Sequence, residues 1–224
     1  MLPAEGADKV PAAGLKLEYR DGASRMLSGQ VARNLLLARE RLTDVSGVRA
    51  GIGVVDADVP NAFMLNRSDG SLVAFSLAWL DYLGSDEDAV ATTMAHEMAH
   101  MYLGHTDAAR RKRDSAAENS GQALGVVLNL SGVPLGGVMA GLSTSALARS
   151  YTRDEERAAD DQGLRWAVAA GFDPCGRART MVLYRRLEAR SGGLSFLSTH
   201  PGAAERSGLA NEYSRALHNR ECDV

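Results

Sequence analysis

Two histidines four residues apart, with a glutamate directly after the first, are the residues of this chain best placed for chemistry: His96-Glu97-Met98-Ala99-His100. On a helix, positions i and i+4 stand one turn apart on the same face, so both imidazoles can reach one metal ion. Zinc suits such a site, at one ion per chain. A catalytic zinc takes three protein ligands and keeps a fourth position for water, and a carboxylate beside that water can take its proton during attack on a carbonyl. Glu97 stands where such a base is needed. Two histidines leave a third ligand to be found elsewhere.

The motif requires a helix, and its flanks supply one. Ser85 followed by Asp86, Glu87 and Asp88 is an N-terminal signal that complements the helix dipole, and Gly104 closes the run as a C′ glycine would. Val90, Thr93, Met94 and Met101 form an apolar stripe between them, so this helix is expected to be buried. Farther on, Thr152-Arg153-Asp154-Glu155 reads as a capping box that starts a helix running to Gly171. Its Glu156 and Asp160 lie four apart on one face. Glu156 is a candidate third ligand, and Asp160 a candidate acceptor for the outer ring nitrogen of a ligand histidine. Asp154, Glu155 and Asp161 crowd the same helix, so spacing alone leaves the reading of Glu156 and Asp160 as solvated acids equally open.

The remaining elements follow from periodicity and turn residues. Residues 1 to 20 are rich in Pro, Ala and Gly and read as an extended or disordered arm, with 21 to 224 as one domain. Helical spacing covers Ser24 to Val45, and strands are expected at Gly51 to Val55, Asn61 to Leu65 and Ser71 to Phe75. A short helix over Leu77 to Leu83 then leads into the motif helix. The strand around Leu72 to Phe75 is expected to offer an open edge to an extended peptide. After the motif, Thr106 to Gly121 reads as partly helical, and Ala123 to Leu142 as an apolar, glycine-rich segment with a break near Pro134. Asp173-Pro174 restarts a helix to Gly192, and His200-Pro201 opens a last one to about Asn219. The fold class implied is α+β and helix-dominated, with a small sheet beside the metal cleft.

Composition narrows the function. The 224 residues carry a net charge of -3, and the one basic cluster, Arg110 to Arg113, is short, so nucleic acid is not an expected partner. The apolar stretch from Ala123 is interrupted by Asn129, Ser131 and Pro134, which argues against a membrane-spanning helix. Met1 to Leu15 lacks the charged start and long apolar run of a signal peptide. Cys175 and Cys222 permit one bridge and have no metal-type spacing.

His96-Glu97-Met98-Ala99-His100, then Glu156-Arg157-Ala158-Ala159-Asp160, then Ser198-Thr199-His200-Pro201, in that order, resemble the zinc metallopeptidase family that includes HtpX and the CAAX prenyl proteases. The match is to its soluble periplasmic branch typified by BepA and LoiP. Asn61-Ala62-Phe63 and Gly171-Phe172-Asp173-Pro174 share the likeness. The resemblance implies a compact gluzincin fold in which His96, His100 and Glu156 bind zinc, Asp160 supports a ligand and Glu97 is the base. It also implies that His200 lies beside the metal, as the candidate oxyanion donor. A metzincin would need Gly at position 103 and His at 106, where this chain has Leu103 and Thr106, so His105 is expected only to end the helix. The implied activity is endopeptidase action on unfolded or misassembled proteins. The competing reading is a chaperone-like, client-holding protein with a structural or latent zinc site. The implied place is the bacterial periplasm or the periplasmic face of the outer membrane, where members of the branch are often made with a cleaved signal or a lipid anchor upstream. In that oxidising compartment a Cys175–Cys222 disulfide is expected.

Overall fold

The computed structural model describes residues 6–19, 22, 24–67, 70–106, 151–191, 200 and 203–224. The apolar segment from Ala123 to Leu142, and nearly all of the expected partial helix from Thr106 to Gly121, lie outside the described residues.

In chain order the elements are strands β1 (Leu15–Glu18) and β2 (Ser24–Leu27), helix α1 (Gly29–Ser46), strands β3 (Gly51–Val55), β4 (Ala62–Arg67) and β5 (Gly70–Ser76), and helices α2 (Leu77–Leu83), α3 (Glu87–Tyr102), α4 (Arg153–Ala169), α5 (Cys175–Ser191) and α6 (Ala203–His218). The architecture is α+β and helix-dominated, with two small sheets. The span expected as an extended or disordered arm instead holds a 3-10 turn at Ala7–Lys9 and strand β1, which pairs antiparallel with β2 from Leu15 opposite Leu27. Val10 is buried in the core, with Leu15 and Leu17 packed against it, and burial of that apolar surface holds the segment down. The same hairpin takes Ser24–Leu27 out of the first helix. α1 begins at Gly29 instead, where the Ser28 hydroxyl accepts the Val31 N–H at 3.2 Å.

The three-stranded sheet has the order β3-β5-β4, with β3 parallel and β4 antiparallel to β5. The strand at Leu72–Phe75 is therefore central, bonded to a neighbour on each side, and cannot be the open edge expected of it. The edges are β3 and β4, and β4 is the one that lies most closely along α3. Alternation sorts β4 between two apolar layers: Ala62 and Met64 enter the main core with Val73 and Phe75, whereas Phe63 and Leu65 pack with Val55 and Ala74 on the other face.

α3 is surrounded. Every side chain from Ala89 to His100 is buried, because α1, α4, α5 and the sheet enclose the helix. Its N-cap is Asp86, one residue past Ser85, and its carboxylate accepts the Ala89 N–H at 3.0 Å. The same carboxylate receives Arg179 of α5 at 2.5 and 2.8 Å, and Asp88 accepts the Asp173 backbone N–H at 2.9 Å. Asp173 in turn caps α5, accepting the Cys175 N–H at 2.8 Å. The first turns of α3 and α5 are thus tied together. Cys175 is bridged to Cys222 with Cα atoms 5.2 Å apart, which fastens the tail to the same corner.

Asp86 tests this corner. Burial works to raise its pKa, but the Arg179 guanidinium and the Ala89 N–H outweigh it and hold the group below its ordinary 3.8. A depressed carboxylate stabilises the fold above its unfolded pKa, and that contribution is lost as pH falls through the folded value. Asp86→Ala is expected to lower unfolding free energy by about 1 to 2 kcal/mol, mostly through the lost cap. Asp86→Asn keeps the cap and should lose less, and its deficit at neutral pH should shrink below pH 3.8. Denaturant titrations of the three proteins at neutral and acid pH check both statements.

Candidate metal centre

The site forms where α3 and α4 cross, and small residues let them come close. Ala95, Ala99 and Ala159 are fully buried. Gly163 of α4 sits directly on the α3 backbone: a Cβ there would lie 2.9 Å from His96 N and 3.0 Å from both Ala95 C and His96 Cα. Glu156 and Asp160 precede Gly163 on the same helical face, so this contact sets how far their carboxylates reach toward the histidines. The start of α4 is fixed by the expected capping box, in which Thr152 Oγ1 accepts the Glu155 N–H at 3.2 Å and the Glu155 carboxylate accepts the Thr152 N–H at 2.9 Å.

His96 Nε2 and His100 Nε2 are 3.1 Å apart. The Glu156 carboxylate lies 3.3 Å from His100 Nε2 and 3.5 Å from His96 Nε2. His200 brings Nδ1 to 2.9 Å from Glu156 Oε1 and 3.4 Å from His96 Nε2. One donor atom from each of these four residues lies within 4.8 Å of the others, and all four residues are buried. Donors bound about 2.0 to 2.1 Å from a tetrahedral ion stand roughly 3.3 to 3.4 Å from one another. The separations among His96, His100 and Glu156 match that spacing.

The outer nitrogens give a second test of fit. His96 Nδ1 is 2.9 Å from Asp160 Oδ1, and His100 Nδ1 is 2.9 Å from His105 Nδ1. With each Nδ1 donating to its outer partner, the two Nε2 lone pairs would converge on each other and on a carboxylate. A cation resolves that repulsion, so the residues fit a metal.

Asp160 is held by two guanidiniums. Arg177 Nη2 donates to Oδ1 at 2.5 Å, while Arg206 donates from Nε to Oδ2 at 2.5 Å and from Nη2 to Oδ1 at 2.9 Å. Arg206 Nη1 also pairs with Glu156 Oε2. Burial pushes the Asp160 carboxyl up, but Arg177 and Arg206 prevail and keep it well below the usual range. Glu156 is likewise raised by burial and brought well below by His200, His96 and His100. Burial, reinforced for His96 by Arg177, lowers the pKa of both ligand histidines, that of His100 to about 4, so their rings are neutral as metal binding requires.

Glu97 is different. Its Oε1 is 3.5 Å from His200 Nε2, and its Oε2 is buried with no hydrogen-bond partner among the described residues. Burial raises its pKa to about 7, against the opposing pull of His200. A carboxylate poised near neutrality can take and return a proton.

All six residues singled out from the sequence therefore meet at one place: His96, Glu97, His100, Glu156, Asp160 and His200. Three others there went unnoticed, and a fourth was given a different part. Tyr151 stacks on the His100 ring at 3.7 Å. His105, expected only to end the helix, touches a candidate ligand. Arg177 and Arg206 carry no local spacing signal, but buried carboxylates demand buried cations, which was reason to look for arginines on the following helices.

Residues 37–213 match peptidase family M48. The mitochondrial metalloendopeptidase OMA1 of Schizosaccharomyces pombe (strain 972 / ATCC 24843) is 30% identical over 199 residues, covering 84% of this chain and 54% of that protein. The chain thus spans about half the length of this curated relative.

Gly163 carries the geometric prediction. Gly→Ala inside a helix ordinarily stabilises by about 1 kcal/mol, but here the new methyl meets backbone that cannot turn aside. Gly163→Ala is expected to destabilise by roughly 1 to 3 kcal/mol and to weaken metal binding, because it pushes Glu156 away from the histidines. Gly208→Ala on α6, where no heavy atom lies within 4 Å of the added carbon, should be neutral or stabilising and leave metal binding alone. Thermal melting and chelator competition on the two variants read this contrast.

Proposed function

The chain belongs to peptidase family M48, and from that membership we propose that it is a zinc-dependent endopeptidase acting on unfolded or misassembled proteins. The observation that carries the reading is the Glu97 carboxylate, buried with one oxygen unpartnered among the described residues, beside four convergent metal-binding side chains. His96, His100 and Glu156 would hold the ion, and two imidazoles with one carboxylate are a donor set of catalytic zinc. When bound, zinc supplies Lewis-acid polarisation of a water and of the scissile carbonyl. Glu97 takes the proton from the attacking water and returns it to the leaving amine. Asp160, kept ionised by Arg177 and Arg206, orients His96. His200 is the candidate oxyanion donor. Burial lowers its pKa, but Glu156 and Glu97 outweigh burial and raise it, so the ring keeps protons to donate.

For substrate we propose an extended segment laid beside β4, an edge of the three-stranded sheet and the strand packed most closely along α3. Main-chain pairing of that kind favours unfolded or loop regions. The Cys175–Cys222 bridge supports an oxidising compartment, and the bacterial periplasm or the periplasmic face of the outer membrane is our proposal for it. Among the described residues no helix is long and apolar enough to cross a membrane. A client-holding protein with a structural zinc is not favoured, because such a site has no use for a buried, unpartnered base.

The two glutamates should give opposite signatures. Glu97→Gln is expected to lower cleavage of an unfolded protein by about a hundredfold to ten-thousandfold while zinc content and melting temperature hold. Glu156→Gln is expected to lose zinc affinity. Full activity in the first variant would sink the assigned base, and unchanged zinc affinity in the second would move the third ligand elsewhere.

A further inference from the structure

Beyond the end of α3 the chain turns back over its own last turn. Gly104, at φ +73, donates its N–H to the Met101 carbonyl at 3.1 Å, and His105 donates its backbone N–H to the His100 carbonyl at 2.9 Å. This pair of bonds is a Schellman cap, with Leu103 as C-cap, Gly104 at C′ and His105 at C″. In such caps the C″ side chain packs on C3, usually through an apolar contact. Here C3 is the candidate ligand His100, and the contact is polar: Nδ1 of His105 lies 2.9 Å from Nδ1 of His100. Both rings are buried.

The direction of that hydrogen bond follows from the far side of the His100 ring. Its Nε2 faces His96 Nε2 at 3.1 Å and Glu156 Oε1 at 3.3 Å, and in the metal reading this nitrogen offers its lone pair to the ion. A neutral imidazole then carries its proton on Nδ1 and donates it. The acceptor is His105 Nδ1, which leaves the His105 proton on Nε2.

We infer that His105 is a positioning residue for the metal site: a neutral imidazole, delivered by the helix cap, whose Nδ1 accepts the proton of His100 and so fixes the tautomer and plane of that ligand. It deepens the metal reading above and rests on it. It also gives the glycine of the cap a part in the site, since the left-handed turn at Gly104 is what returns His105 to His100.

The test separates hydrogen bonding from packing. His105→Asn places an amide oxygen where Nδ1 stood, His105→Phe keeps a ring without an acceptor, and His105→Ala removes both. Zinc affinity by chelator competition on the full chain, with melting of the metal-free proteins alongside, is the readout. Loss of an outer partner typically weakens metal binding about 10- to 100-fold. That loss is expected for Phe and for Ala, with Asn close to wild type. In the zinc-loaded wild type, nitrogen–proton NMR correlations of the imidazoles should show His105 protonated on Nε2. Wild-type affinity in the Phe variant, or in Ala if Phe does not fold, overturns the inference. So does an Asn variant no tighter than Ala, or a proton on His105 Nδ1. If wild type itself binds no zinc, the metal reading fails, and this inference with it.

Discussion

A buried charge must find a buried partner, and that rule shapes this molecule more than any other. Glu97, Glu156 and Asp160 are carboxylates removed from water, and an unpaired ion in such surroundings is several kcal/mol unfavourable. The two guanidiniums that answer them come from helices distant in sequence, Arg177 from α5 and Arg206 from α6, and both converge on Asp160 of α4. The imidazoles come from His96 and His100 of α3 and from His200, three residues before α6. Four helices, α3 to α6, therefore contribute to one charged point, and their packing angles are constrained by the need to complete it.

Close approach is the second requirement. A carboxylate on one helix reaches an imidazole on the next with donor separations near 3.3 Å only if the helices nearly touch. Alanines and Gly163 at the α3/α4 crossing permit that, and the ties at Asp86, Asp88 and Asp173 keep α5 in line at the other end of α3. The rigidity of the site is thus supplied from its periphery. Large apolar side chains such as Trp79, Met94 and Met98 are buried in the main core that these helices share.

Most local signals in the sequence were read correctly, and pairings were not. The motif helix, the capping box at Thr152, the cap at Asp173 and the bounds of β3 and α2 are written in short spans of residues, and the structure has them there. Strand order is not local. Leu72 to Phe75 and Ala62 to Leu65 are both continuous apolar runs, and nothing within either run says that β5 lies between β3 and β4. The β1/β2 hairpin is a different kind of miss. Leu15-Lys16-Leu17-Glu18 alternates with period two, a signal outweighed in the reading by the Pro and Gly around it. In the candidate site, His96, Glu97 and His100 were legible from spacing and chemistry. Glu156 and Asp160 were candidates by spacing and needed the family resemblance to be set apart from the neighbouring acids, and His200 came from the resemblance alone. Arg177 and Arg206 become visible only when the buried charge is counted.

Counting that charge also explains why the two ligand histidines have unlike partners. Arg177 and Arg206 balance Asp160, and Arg206 with the histidines balances Glu156, whereas burial and the neighbouring Glu156 push Glu97 toward neutrality against the smaller pull of His200 and the two arginines. A further carboxylate nearby would push it in the same direction. His96 can take an anionic partner because Asp160 arrives with its own pair of cations. A carboxylate at position 105 would add a further buried anion to this cluster. A neutral imidazole supplies the same accepting lone pair without adding charge. A histidine at that corner accepts without adding charge to a cluster that already holds the buried Glu97, and it stands where the helix cap delivers it.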